Sequence, residues 1–292
     1  MHILVANDDG PPDASSSPYV HSLVSALESA GHVVSVIVPS QQRSWVGKAH
    51  FIDQVITPTY YTPGPVFQYA GAISDVPPTK NETPNDNHWV LIDSTPASCV
   101  QIGLNHYFKD RGPVDLVVSG PNLGQNATVL FSLSSGTIGA AMEGALCGKR
   151  AVALSFEDKT NQHEPAAVTE ASKHAVKLIE HLHGSWPEDV DLYTVNMPLK
   201  TGISQQRILY TSMFKNRWSP GISSFQEIIS AESGRPQKQF RWAPKLDDIR
   251  ASVHSGGPTD DGLVVERGFT SVTPLKANFM HTFGYEGEIK LA

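Results

Sequence analysis

The chain has 292 residues, 40% of them hydrophobic and 17% charged, which suits one large α/β interior or a core with an appendage. Its net charge of −7 comes without a Lys/Arg cluster, which argues against a protein that grips a nucleic-acid duplex by its phosphates. No apolar run approaches the ~20 residues that cross a bilayer, and the opening MHILVANDDG reaches two aspartates too early for a secretory signal; the expectation is a cytoplasmic protein with no membrane contact.

Residues 2–6 alternate and then run apolar, as a strand buried on both faces does. Residues 18–30 place Val20, Leu23, Val24 and Leu27 at helical spacing, and Gly31 supplies the stop. Residues 33–38 are a second β-branched run, closed by Pro39. Two strands joined by a helix pair in parallel through a right-handed crossover. Residues 57–87, rich in Pro, Asn, Gly and Thr, predict a long irregular insertion. Beyond it come a strand at 89–92, a helix at 96–104 behind Ser94-Thr95, and a strand at 114–118. A small-residue helix at 137–147, a strand at 151–155, a long amphipathic helix at 166–183 and a strand at 192–196 complete the alternation. That order predicts an α/β fold with a doubly wound, largely parallel sheet, whose ligands bind beyond the carboxyl ends of the strands. From residue 201 onward the helix signal weakens, and Trp218, Phe225, Phe240 and Trp242 fall among polar, Gly and Pro residues; they suit an interface or a small private core. Strand character returns at 268–275. The expected organisation is a core over 1–200 and a C-terminal extension over 201–292 that returns a strand to it.

Four polar motifs fall at element ends. Asn7-Asp8-Asp9-Gly10 follows the first strand, and two carboxylates there repel unless a cation or proton offsets them. The loop from Ser119 to Asn126, SGPNLGQN, brings a neutral amide oxygen to the same sheet edge. Ser134-Ser135-Gly136-Thr137 opens a helix, where hydroxyls and free N–H groups attract an anion. SQQRSWVGK, from Ser40 to Lys48, follows the second strand and carries Arg43, Ser44 and Lys48. Singly, each is more simply a polar turn or a helix cap. Jointly they place carboxylates, an amide, hydroxyls and cations in one crevice, which points to a divalent metal beside an anion cradle and to phosphate-ester chemistry. The chain has no GxxxxGK[ST], GxGxxG after the first strand, GxSxG or HExxH, which argues against a P-loop enzyme, a dinucleotide-dependent dehydrogenase, a serine hydrolase of the elbow type and a zinc hydrolase. Cys99 and Cys147 lie in apolar contexts without metal spacing.

These motifs, with DSTPASCV at Asp93 to Val100, VNMP at Val195 to Pro198 and GFTSVTPL at Gly268 to Leu275, resemble in kind and order the SurE survival proteins, metal-dependent 5′-nucleotidases. The resemblance covers most of the chain outside residues 57–87 and 201–260. It implies a Rossmann-like three-layer sandwich, a C-terminal extension exchanged between subunits, and homodimers or homotetramers. It implies one Mg²⁺ or Mn²⁺ per subunit held by Asp8, Asp9, Ser44 and Asn122, with Asp8 and Asp9 at the catalytic centre. It also implies an anion site at Ser135, Gly136 and Thr137, and Asn126 joins the expected substrate contacts. Bacterial members commonly have asparagine where this chain has Lys48, which is expected to bind phosphate. Where some relatives carry a histidine proposed as an acid, this chain has Leu263, with His254 the nearest histidine upstream. The expected activity is hydrolysis of nucleoside 5′-monophosphates. Alternatives are a broad acid phosphatase or polyphosphatase, and a nucleotide-binding sensor without turnover.

Overall fold

The computed structural model describes residues 1–78, 88–230, 237–279 and 287–288. The core opens as the periodicities dictate: β1 (His2–Ala6), α1 (Val20–Ser29) and β2 (Val33–Pro39). In β1, Ile3 and Val5 join the apolar layer beneath α1, whereas Leu4 and Ala6 join a second layer on the opposite face. All four are fully buried, and each such Leu or Ile side chain contributes roughly 1.5–3 kcal/mol. A strand apolar at every position is thus one covered on both faces.

The predicted irregular insertion instead holds a hairpin, β3 (Thr59–Pro63) and β4 (Gly71–Ser74), which pairs antiparallel with itself and with β5 (Trp89–Ile92). Its residues 79–87 lie outside the described residues. Next come α2 (Pro96–His106), β6 (Leu116–Leu123), α3 (Thr128–Ser134), α4 (Gly136–Leu146), β7 (Arg150–Glu157), α5 (Pro165–Gly184) and β8 (Leu192–Pro198). The remainder comprises β9 (Ile208–Tyr210), the hairpin β10 (Phe225–Ser230) and β11 (Gln237–Trp242), α6 (Leu246–Ser252), α7 (Asp261–Glu266) and β12 (Thr270–Leu275).

Among the described residues, ten strands form one sheet in the order β4-β3-β5-β2-β1-β6-β7-β8-β12-β9. Its six-strand centre, β5-β2-β1-β6-β7-β8, is parallel throughout. Chain order runs outward from β1 through β2 to β5 on one side, and from β6 to β8 on the other. The direction reverses between β1 and β6, and the carboxyl ends of those strands diverge into a crevice. Helices α1 and α5 cover one face, α2 and α4 the other. β12 lies antiparallel beside β8. No single helix among the described residues is long and apolar enough to cross a membrane.

One irregularity positions a side chain at the crevice. β6 continues past residue 118, and its register on β7 slips by one residue, with Ser119 opposite Ala153 and Asn122 opposite Ser155. Gly120 sits in the slip at φ +120°, where an added Cβ would lie 2.1 Å from the Leu154 carbonyl oxygen. Such a bulge re-aims the residues after it. Here the residue re-aimed is Asn122.

Candidate active site

The turn after β1 is closed by Asn7, whose Nδ2 donates to the Gly10 carbonyl at 2.8 Å while its Oδ1 accepts from the Gly10 N–H at 3.0 Å. The aspartates inside that turn are each 2% exposed. Asp8 meets the start of α4: Thr137 Oγ1 donates to Asp8 Oδ1 at 2.5 Å, and the Thr137 and Gly136 backbones also act on the carboxylate. The same Thr137 hydroxyl lies 3.3 Å from Asn122 Oδ1, so the tips of β1 and β6 meet at one point. Asn122 Nδ2 donates to the Gly124 carbonyl, which turns the amide oxygen toward that point. Asp9 Oδ2 accepts from the Leu123 N–H at 2.8 Å; its Oδ1 is buried with no hydrogen-bond partner.

Asp8, Ser44, Asn122, Asn126 and Ser135 line a single pocket of about 150 Å³. Asp9 lies behind it, tied to β6. The structure therefore brings together the expected ligand set, two carboxylates, an amide oxygen and a hydroxyl, from three separate segments.

Three expected substrate contacts have other partners. Thr137 is fully buried, and its hydroxyl serves Asp8 and Asn122. Gly136 is the point of close approach, since a Cβ there would lie 2.7 Å from Asp8 Cβ. The helix start expected to cradle an external anion thus cradles the protein's own carboxylate, for the reason foreseen: free N–H groups favour negative charge. Lys48 does not line the pocket, because its Nζ pairs at 2.6 Å with Glu143 Oε2 on α4, a buried carboxylate that also accepts from Gln101. Arg43, likewise, reaches Asp93 at 2.5 Å. Ser135 both lines the pocket and caps α4, accepting from the Ile138 N–H at 3.1 Å. Asn126 donates to Ser155 Oγ at 3.0 Å, and its own N–H is fixed by Asn196.

Sequence reasoning missed five residues that line the pocket: Trp45, Phe131, Glu157, Leu246 and Arg250. Only Trp45 carried a signal, its place next to Ser44. Leu263 is buried in α7, whereas His254 lines an adjoining cleft with Glu157, Lys159 and Arg250.

The electrostatics test whether a cation fits. Burial raises the Asp8 carboxyl above the usual carboxylate range, partly countered by Thr137. Asp9 is held well above it, first by burial and then by the charge of Asp8; the Leu123 N–H opposes this. Two buried carboxylates that push each other toward protonation are a site short of positive charge. The partnerless Asp9 Oδ1 adds an unused acceptor. Among the described residues, no three His, Cys, Asp or Glu side chains form a group that could hold a metal ion; the donors here, two carboxylates, an amide and a hydroxyl, are all oxygen and partly neutral. That set suits a hard dication such as Mg²⁺ or Mn²⁺ rather than a thiolate- or imidazole-bound metal.

A doubly wound α/β chain with an all-oxygen cluster at its switch point defines a class of proteins that bind ligands at strand tips. Within that class, the chain matches the survival protein SurE family over residues 3–220 and belongs to it. It is 34% identical to the probable tubulin–tyrosine ligase PBY1 of Saccharomyces cerevisiae; all of the chain is covered, but it spans only 43% of that protein's length. It is 29% identical to the 5′-nucleotidase SurE of Roseobacter denitrificans, over 95% of the chain and 94% of the relative. Among solved structures, the SurE protein from Aquifex aeolicus superposes with a TM-score of 0.64 at 23% identity, covering 96% of this chain and 95% of that one; this likeness concerns the fold.

Proposed function

We propose that the chain is a divalent-metal-dependent phosphomonoesterase that hydrolyses nucleoside 5′-monophosphates to nucleoside and phosphate. Membership of the SurE family supports an enzyme of the nucleotidase and phosphatase type. The observation that carries the reading is the pairing of buried Asp8 and Asp9 with Asn122 and Ser44 beside an open pocket.

Asp8, Asp9, Ser44 and Asn122 would hold the cation, which when bound supplies Lewis-acid polarisation of a phosphoryl oxygen and a more acidic water. Asp8 faces the pocket and Asp9 does not, so Asp8 orients the attacking water while Asp9 anchors the cluster to β6 through Leu123. Thr137 holds Asp8 and Asn122 in register with each other. Ser135 and Asn126 offer hydroxyl and amide groups to the phosphoryl oxygens. Arg250, which lines the pocket, replaces Lys48 as the cation that meets phosphate charge. The C-terminal hairpin leaves Ile229 70% and Phe240 62% exposed, and we assign to it the contact that joins copies of the chain into a dimer or tetramer.

The test is a substrate panel of AMP, GMP, p-nitrophenyl phosphate and short polyphosphate, each with Mn²⁺ or Mg²⁺ and with a chelator. Nucleotide-preferring phosphate release that the chelator abolishes is the expected result. Equal release from all four substrates returns the broad phosphatase; metal-dependent AMP binding with no release at high enzyme returns the sensor.

A further inference from the structure

The pocket, at about 150 Å³, has room for more than a phosphoryl group, and its lining includes two aromatic side chains beside the oxygen donors. Trp45 and Phe131 line it with their ring centroids 5.8 Å apart and their planes at 59°. We infer that these two rings form a stacking wall for a nucleobase, so that the pocket selects base-bearing phosphomonoesters over those whose alcohol is a bare sugar or alkyl chain. The inference rests on the phosphomonoesterase reading above and adds to it the residues that recognise the leaving alcohol.

Trp45 follows Ser44 directly, so the group that would sit against the cation and the group that would sit against the ring are one Cα step, ~3.8 Å, apart along the chain. A substrate engaging both must carry an aromatic ring a short span from its phosphate, as a nucleotide does. Trp45 also adopts φ 65°, a left-handed conformation uncommon for so bulky a residue. Its surroundings hold it there: the Gly47 N–H donates to the Ser134 carbonyl at 2.9 Å, fixing the loop on α3. The indole is braced from the C-terminal segment by Trp242, at 5.4 Å and 65°. Trp242 is in turn packed by Trp218 at 5.9 Å and Phe225 at 5.1 Å.

A private aromatic core would bury its members. Here the chain of rings ends at an open cleft, and Trp45 and Phe131 remain only half-buried. A ring held rigidly and left accessible loses little entropy when a base stacks on it. Base–aromatic stacking is worth ~1–3 kcal/mol per base, so losing the wall costs about tenfold or more in affinity.

Steady-state kinetics on AMP and ribose 5-phosphate, with Trp45→Leu, Trp45→Phe and Phe131→Leu, read the claim. Trp45→Leu is expected to lower kcat/KM for AMP about tenfold, mainly through KM, and to change ribose 5-phosphate by less than about twofold. Trp45→Phe should keep most of the AMP activity, and Phe131→Leu should lose part of it in the same substrate-selective way. An equal loss on both substrates, or no loss on either, overturns the wall. Equilibrium dialysis with adenosine, which carries no phosphate, separates this inference from the catalytic reading. Wild-type binding that Trp45→Leu weakens about tenfold supports the wall even in a preparation that releases no phosphate. Wild-type protein that cleaves AMP and ribose 5-phosphate equally and ignores adenosine overturns it while the phosphatase stands.

Discussion

Asp9 has one carboxylate oxygen on the Leu123 N–H and the other, buried, on nothing. With no cation present, that arrangement costs the fold stability whenever the carboxyl ionises. Its folded pKa lies well above the ordinary 3.8, so the contribution of its neutral form is fully present below about pH 4 and is lost as pH rises through the raised value. Asp9→Asn should therefore melt higher than wild type in chelator at neutral pH, by about 1–2 kcal/mol, and show a flatter dependence of stability on pH. It should also lose phosphate release. Thermal melts at several pH values check the first part, and wild-type-like melting in the variant would remove the charge argument. Asp8, Asp9 and Asn122 were legible as candidate site residues because an α/β sheet collects whatever follows its parallel strands. The partners of Thr137 and Lys48 were not, since Asp8 lies 129 residues from Thr137 in sequence and Glu143 stands on a helix remote from the loop of Lys48.

At the scale of elements, the loop after β2 and α4 fit each other through contacts that carry no local signal. The ion pair between Lys48 and Glu143 is one. Burial raises the Glu143 carboxyl, but hydrogen bonds from Lys48 and Gln101 outweigh it and leave the group below its ordinary value. Stability from this contact is present above about pH 4.5 and falls as the carboxyl protonates. Lys48→Met removes the nearest cation from a buried carboxylate, leaving it Gln101 and, at 3.4 Å, His50; it should destabilise the protein by about 1–3 kcal/mol, while adding Glu143→Gln recovers most of that loss. Denaturant melts of the double-mutant cycle measure this; strictly additive losses would exclude the pairing. Gly136→Ala is the second element-level test. Its methyl would stand 2.7 Å from Asp8 Cβ and must push α4 off the aspartate turn, at a cost of about 1–3 kcal/mol together with the loss of metal-dependent turnover. Strand and helix order could be read from periodicity alone. The hairpin β3–β4 could not, because TYYTP is a short, partly buried strand and GAIS a short, exposed one in a Pro- and Gly-rich stretch.

For the molecule as a whole, the C-terminal segment does three things. β12 adds to the sheet beside β8, α6 supplies Arg250 to the pocket, and the hairpin β10–β11 carries both the ring that braces Trp45 and a row of uncovered apolar side chains. Phe240→Ser with Ile229→Ser removes exposed apolar surface without touching the pocket lining. Sedimentation should then show a smaller assembly than wild type, and an unchanged sedimentation coefficient would place the subunit contact elsewhere. The aromatics at 218–242 were ambiguous in sequence because interface and core use the same residue types; only their packing on Trp45 assigns part of the cluster to the pocket.

The oxygen cluster is stitched from residues 8–9, 44 and 122, and it exists only once β1 and β6 lie side by side. An unfolded or half-folded chain offers the ion scattered donors and no chelate. On the proposed reading, uptake of Mn²⁺ becomes a gauge of global folding: added ion should lift the melting temperature in proportion to the logarithm of its concentration, and titration with urea should release metal and unfold the sheet at a common midpoint.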